Sequence, residues 1–145
     1  MTKRLILNDP ERICQWTAER IGCSPWEPDY SGAIGLEKDG EIVIGVVVDN
    51  YMPNGCASLH CAISDKRALS RQFLQTVFHW LFVDLDLKVL INKVAGSNAD
   101  SLRFTKHVGY TEFARFPLAW YGQDDLVLFE MRREDCRWIT LGGLK

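Results

Sequence analysis

The stretch from Ile63 to Phe82 constrains this chain most: a short polar loop, Ser64-Asp65-Lys66-Arg67, opens into a strongly apolar helix. Leu69, Phe73, Val77 and Leu81 form one stripe at helical spacing, and Leu74, Phe78 and Phe82 form the next. A face that wide packs against a sheet. Cys56–Ile63 before it and Lys88–Ala95 after it read as strands, so the unit is a strand–helix–strand crossover that sets its two strands parallel. An exposed helix start also turns unpaired N–H groups and the positive end of the helix dipole outward, and the small residues Ala68 and Ser70 let a ligand come close. Lys66, Arg67 and Arg71 crowd the same turn as charged donors for a pyrophosphate or nucleotide phosphate. A solvated basic first turn would carry the same residues.

The rest of the chain reads as strands and short helices around that crossover. Leu5–Leu7 predicts a first strand, and Asp9-Pro10-Glu11 opens a helix with Asp9 as N-cap and Pro10 at the first helical position. Ile13, Trp16, Thr17, Arg20 and Ile21 share one face of it, and Gly22 ends it. Pro25, Trp26 and Pro28 mark an irregular loop, in which Trp26 either lines a cleft or covers the edge of the core. Ala33–Lys38 and Glu41–Asp49 predict a hairpin turning at Asp39-Gly40, and the second strand is apolar enough to be covered on both faces. Asn54-Gly55 turns the chain into Cys56–Ile63. Past the crossover, Ser97 and Asp100 have capping-box spacing at the head of a helix ending at Gly109. Strands from about Tyr110 to Phe116 and from Leu126 to Met131 follow. The order is that of an α/β domain with a mixed sheet.

Composition narrows the function classes. The 145 residues suffice for one domain, 1–145, that buries a core without disulfides or metals. A formal net charge of -2 gives no general attraction to a phosphate backbone, so nucleic acid is not an expected partner. Cys14, Cys23, Cys56, Cys61 and Cys136 stand at irregular spacing without a CxxC pair and read as reduced thiols. Leu5-Ile6-Leu7 is too short for a signal peptide and no later run approaches a membrane span, so a cytoplasmic location is expected. Strand alternation turns His60 and Cys61 to opposite faces, and no second ligand pair follows, so no metal site is expected. Cys56 and His60 share a face, which leaves a nucleophile pair and inert packing both open.

Asn98-x-x-Ser101 followed by Gly109-Tyr110, with Glu112 and Arg115 in an E-x-x-R continuation, resembles the helix and strand entry of the GNAT superfamily of acyl-CoA-dependent N-acetyltransferases. The likeness is to the branch that acetylates ribosomal-protein N-termini and related amines. Phe82, Leu85, Leu87 and Val89 are spaced like that family's helix end and splayed strand, and Asp125 with Met131–Asp135 is similar to its closing strand and tail. The resemblance covers the chain from about Ala33 onward. It implies a GNAT-like mixed, mostly antiparallel sheet with splayed central parallel strands and flanking helices, acetyl-CoA as acyl donor, and an amine on a small molecule or protein as acceptor. In the family the loop before the long helix cradles pyrophosphate on backbone N–H groups, usually as Arg/Gln-x-x-Gly-x-Gly/Ala. The matching positions here are Asp65, Ala68 and Ser70, where an aspartate replaces the basic or amide residue and Ala and Ser replace the glycines. Lys66, Arg67 and Arg71 could compensate the charge. The implied cofactor-contacting residues are Cys61, Ala62 and Ile63 on the strand, Lys66 to Arg71, including Leu69, at the helix start, and Asn98 with Ser101, Asn98 on the pantetheine arm.

Direct transfer to a neutral amine needs a donor for the thioester carbonyl, a base for the ammonium proton and a proton for the leaving thiolate. The resemblance implies the carbonyl donor at Cys61, Ala62 or Ile63. His60 is the only histidine on that strand and the candidate base, since imidazole titrates near neutrality; a half-buried histidine satisfied by a carbonyl is the other reading. Asp49 and Glu112 are the carboxylates that could serve instead. Many family members carry a tyrosine seven residues after the helix asparagine, where this chain has Thr105, a poor acid.

Two other functions stay open. One is a GNAT-like binding or interaction protein without turnover, suggested by the altered loop and absent tyrosine; the other is an acylating enzyme for nucleic-acid bases, against which the net charge weighs. Gly22–Ser31 and Phe116–Asp125, with Trp26, Tyr30, Trp120 and Tyr121, are candidate acceptor loops. The apolar tail Arg137–Leu141 could cover its own sheet or that of a second copy in a homodimer.

Overall fold

The computed structural model describes residues 2–139, apart from the side chain of Tyr30. That side chain, and Thr140 and Leu141 of the apolar tail, therefore lie outside the described residues. Seven strands, β1 (Lys3–Ile6), β2 (Gly32–Lys38), β3 (Glu41–Asp49), β4 (Cys56–Ile63), β5 (Val89–Ala95), β6 (Thr111–Trp120) and β7 (Asp124–Arg132), form one sheet ordered β1-β2-β3-β4-β5-β7-β6. Every neighbouring pair is antiparallel except β4 and β5. That pair is the one joined by the crossover helix, as the chain order requires. The helices are α1 (Pro10–Ile21), α2 (Arg71–His79), which continues as a π-turn over Trp80–Asp84, and α3 (Ala99–Val108).

Local chemistry sets most boundaries. Asp39 (φ 53°) and Gly40 (φ 88°) both take positive φ between β2 and β3, the backbone that a two-residue hairpin turn demands. Asp9 accepts from the Arg12 N–H, Pro10 opens α1, and Gly22 at φ 86° closes it. The buried face of α1 differs from the expected one: Ile13, Cys14, Thr17 and Ala18 are buried, whereas Arg20 and Ile21 are exposed. The cause is Gly45 on β3. A Cβ there would stand 2.0 Å from Thr17 Oγ1, so the helix lies close enough to the strand that only small or short side chains fit between. Arg20 instead stacks over the Trp16 ring at 5.3 Å.

Two boundaries move from their expected positions. Asn98, not Ser97, caps α3, accepting the Ser101 N–H at 3.1 Å, because Asp124 draws Ser97 away through both its N–H and its hydroxyl. β6 runs on to Trp120, so the expected loop Phe116–Asp125 is mostly strand, with a tight turn at Tyr121 (φ 53°) and Gly122 (φ 72°). Trp138 Nε1 donates to Val108 O at 2.7 Å, which seats the described part of the tail on α3 of its own chain.

The core has two layers. Phe73, Val77, Phe78, Leu81 and Phe82 pack with Val46, Leu59, Leu90 and Phe129 on the α2/α3 side, while Ile13 and Cys14 of α1 pack with Ala33, Ile42 and Val47 on the other. Among the described residues, no helix is long and apolar enough to cross a membrane.

Candidate active site

The site begins where the parallel pair fails. β4 and β5 meet only through Cys56 with Val89, Ala57 with Leu90 and Ser58 with Ile91. Beyond Ser58, β4 stays with β3 as far as Ile63, and β5 stays with β7 as far as Ala95. The edge of β4 from Leu59 to Ile63 that faces β5 therefore lacks a partner strand. Backbone donors and acceptors inside a fold are costly to leave unpaired, so this edge is suited to a ligand with amides of its own.

A groove of about 860 Å³ leads to that edge on the α2/α3 side. Cys61 and Ile63 of β4, Leu69 of the following turn and Phe104 of α3 give it an apolar floor, and its mainly basic rim is made by Lys66, Lys106, His107 and Arg103, the last paired with Asp100, which lines the groove too. Ser101 lines it as well. An apolar channel with cations at its mouth fits a long, thin ligand ending in phosphate.

The turn at the mouth is not an open loop. Residues Lys66–Ala68 form a 3-10 turn in which Asp65 Oδ1 accepts the Arg67 N–H at 3.0 Å, Asp65 O the Ala68 N–H at 3.0 Å, and Lys66 O the Leu69 N–H at 3.2 Å. Ser70 Oγ caps α2 by accepting the Phe73 N–H at 3.0 Å. Between Ser64 and Phe73, the N–H groups of Asp65, Lys66, Ser70, Arg71 and Gln72 have no protein acceptor among the described residues, the last three at the positive end of α2. Of the expected cradle from Lys66 to Arg71, the N–H groups of Arg67, Ala68 and Leu69 are thus taken within the turn, while those of Ser70 and Arg71 have no protein acceptor. Ala68 is buried, so its small size serves packing, and the Arg67 side chain extends into solvent beside Asp65 at 3.3 Å. Lys38, 3.0 Å from Asp65, foremost holds the Asp65 carboxyl below its ordinary range and keeps the turn fixed.

A separate small chamber of about 40 Å³ shares Cys61, Leu69 and Phe104 with the groove and is otherwise walled mostly by apolar core side chains such as Leu59, Phe73, Val77 and Phe78. Asn92 of β5, Thr105 of α3 and Tyr110 also line this chamber. Thr105 is buried, and neither Asn92 Oδ1 nor the Tyr110 hydroxyl has a protein partner among the described residues. Cys61 presents surface to the groove, yet protein crowds its sulfur closely enough that desolvation pushes the thiol up to about 12. It stays protonated and is a poor nucleophile.

His60 and Ala62 face the opposite side of the sheet. His60 Nε2 lies 2.8 Å from Asp49 Oδ1, and the Trp26 ring covers the imidazole at 4.7 Å between centroids. Trp26 thus packs on the α1-side core and lines a cleft at once, joining Asp49, Glu27 and Asp29 around a pocket of about 730 Å³. Helix α1 packs on β2, β3 and β4. Past β4 that face is left open, with Ile91, Leu126, Leu128 and Glu130 partly exposed.

Solved structures share this frame. The spermidine/spermine N-acetyltransferase SpeG from Vibrio cholerae matches with a TM-score of 0.68 at 13% identity, over 90% of this chain and 91% of its own. The protein yncA from Salmonella typhimurium, solved with its cofactor acetyl-CoA, matches at 0.69 and 12% over 91% and 94%. A ribosomal-protein alanine N-acetyltransferase from Escherichia coli matches at 0.66 and 15% over 90% and 92%. The chain has the GNAT fold. No protein-family model matches the sequence, and no curated protein matches it either.

Within this GNAT fold the residues singled out from sequence divide into groups. Cys61, Ile63, Lys66, Leu69 and Ser101 line the groove, Ser70 and Arg71 stand at the start of α2, and Thr105 lies in the chamber. His60 and Ala62 lie through the sheet from them, Asn98 caps α3 with its side-chain oxygen, and Glu112 sits on the edge strand paired with Arg115 at 3.3 Å. Sequence reasoning missed Arg103, Lys106, Asn92 and Tyr110. Arg103 and Lys106 stand three apart on a helix already expected there, a spacing that puts both on one face. Asn92 in the middle of a strand was the other available signal.

Proposed function

We propose that this chain is an N-acetyltransferase that moves an acetyl group from acetyl-CoA to a primary amine by direct attack in a ternary complex. The unpartnered β4 edge at the end of a basic-rimmed apolar groove is the observation that carries this reading. The phosphates would sit against Lys66, Arg103, Lys106 and the free N–H groups of Ser70, Arg71 and Gln72. Ile63, Leu69 and Phe104 suit the pantetheine arm, with the backbone of Cys61, Ala62 and Ile63 available for its amides and the thioester carbonyl. Ser101 lines the same groove, and Asn98, whose side-chain oxygen caps α3, would keep its amide nitrogen for the arm. Bound there, acetyl-CoA supplies an activated acyl carbon and a thiolate leaving group.

His60 is the base in this reading, and the amine approaches from the open α1-side face and meets the acyl carbon through the splay. Asp49 orients the imidazole and steadies its positive charge once it has taken the proton, while Trp26 shields it from water. Asp49, Glu27 and Asp29 would draw in an amine that is protonated in water. The five cysteines are free, which suits a reducing cytoplasm, where we place the protein.

The test is incubation with acetyl-CoA and a panel of polyamines, amino-acid amides and short peptides, following thiol release and the mass of the acceptor. Release coupled to a 42-dalton-class acetyl adduct on one amine class, lost in His60→Ala, is the expected result. Thermal stabilisation by acetyl-CoA with no thiol release on any amine would mark a binding protein of this fold instead.

A further inference from the structure

Strand β6 ends the sheet and pairs with β7 alone. Phe113, Phe116, Leu118 and Tyr121 cluster on it and on the turn after it, 49, 49, 63 and 79% exposed. The backbone of this edge is blunted against strand addition: Pro117 offers no N–H, and the pairing with β7 is bulged between Glu112 and Ala114 and again between Phe116 and Trp120. At the second bulge Leu118 is turned out to solvent at φ 59°, a left-handed backbone that leucine seldom takes, with its N–H donating to Asp125 Oδ1 at 3.4 Å. An edge guarded in its backbone yet apolar in its side chains suits a partner that packs on those side chains.

The apolar surface continues across the sheet. Val127, Phe129 and Met131 point into the α2/α3 core, so Leu126, Leu128 and Glu130 face the other side, together with their register partners Phe116, Ala114, Ile91 and Lys93. An aromatic side chain covers about 150–250 Å², so the four exposed residues of β6 and its turn present on the order of 500 Å². With Ile91, Leu126, Leu128 and a polar rim, the surface comes near the about 800 Å² per partner of a stable interface. The tail as far as Ile139 packs on the α2/α3 core, through the sheet from this patch.

Shape says what fits. Helix α1 covers β2, β3 and β4 and stops, so this side of the sheet is a step one helix deep, about 10 Å. Two sheets packed face to face also stand about 10 Å apart. We propose that this surface joins two copies of the chain in an isologous dimer, each bare half-sheet seated on the other and each α1 flanked by the other copy's β6. A two-fold running along the strands lays β5 of each copy across β7 of the other and brings Lys93 toward Glu130 twice. Lys93 is exposed, and Glu130 meets Arg132 at no closer than 3.9 Å, so both charges are available for that contact. In the acetyl-transfer reading, the dimer leaves the cleft of Trp26, Glu27 and Asp29 as the amine's way to His60.

Sedimentation equilibrium needs no cofactor, so it reads this contact apart from acetyl transfer. Wild type should weigh twice the 16.6 kDa of one chain above about 10 µM. Phe116→Glu and Leu118→Glu, at exposed positions, should keep the fold by circular dichroism and each weaken the association at least about tenfold. Lys93→Glu and Glu130→Lys should each weaken it about tenfold, and the two together should restore it, because the exchanged charges meet again across the two-fold. A wild type of single-chain mass at about 100 µM overturns the dimer, and is the result expected if the patch serves a foreign protein instead. A dimer untouched by Phe116→Glu and Leu118→Glu overturns this surface, and no regain in the double exchange overturns the two-fold. If the two apolar variants do not fold, the charge exchange carries the test.

Discussion

His60 Nε2 and Asp49 Oδ1 lie 2.8 Å apart on a diagonal of the β3–β4 ladder, two residues beyond the last pair that β4 makes with β5. This couple sits at the mouth of the splay on the side opposite the groove. His60→Ala should lower turnover about a hundredfold and Asp49→Asn about tenfold, with acetyl-CoA affinity unchanged in both. Steady-state kinetics on the best amine reads this, and near-wild-type turnover in His60→Ala would remove the histidine from the mechanism.

The groove rim predicts an order of effects at the phosphate end. Lys66→Glu and Lys106→Glu should each weaken acetyl-CoA binding about tenfold, equivalent to about 1.4 kcal/mol. Arg67→Glu should cost less, because the Arg67 guanidinium stands beside Asp65 and its N–H is already taken. Added salt should narrow the gap between wild type and the two rim variants. Calorimetry at two ionic strengths measures both the order and the salt effect.

Packing at Gly45 makes a stability prediction. Gly45→Ala puts a methyl 2.0 Å from Thr17 Oγ1, and the helix must move away from the sheet, at a cost of about 2–3 kcal/mol. Pairing it with Thr17→Ala removes the closest atom and should recover part of the loss, so the two changes should be non-additive in urea unfolding. Additive losses would mean that α1 does not bear on Gly45.

Acid should loosen the β1–β2–α1 corner. Glu37 bonds Arg12 at 3.0 Å and Arg4 at 2.6 Å, and Arg12 foremost holds its carboxyl below the ordinary value of 4.5. The carboxylate is covered, but largely by guanidinium groups, so cover here favours the charge. Because the folded value is the depressed one, this stabilisation is complete above the unfolded value and is lost as pH falls through the folded value. Melting temperature should therefore drop as pH falls below 4.5, and Glu37→Gln should flatten that drop while lowering the plateau near neutrality. Melts across an acid series test the sign.

Much of the architecture was legible because it is written locally. The period of Leu69 to Phe82 fixed a crossover helix, Asp39-Gly40 a hairpin, and Asp9-Pro10 a helix start, each through chemistry within a few residues. The site was harder to read because its decisive contacts are distant in sequence. Lys38 settles the conformation of the turn at Asp65, Gly45 sets which face α1 buries, and Asp124 takes Ser97 from its expected cap. The chamber joins Asn92, Thr105 and Tyr110 from a strand, a helix and the turn between them and β6, and no spacing rule connects such residues.

Titration of acetyl-CoA into the purified protein by calorimetry tests the central claim most directly. We expect one-to-one binding in the micromolar range, weakened by Lys66→Glu and competed by free CoA. A folded wild-type protein that shows neither binding heat nor thermal stabilisation with acetyl-CoA would contradict it.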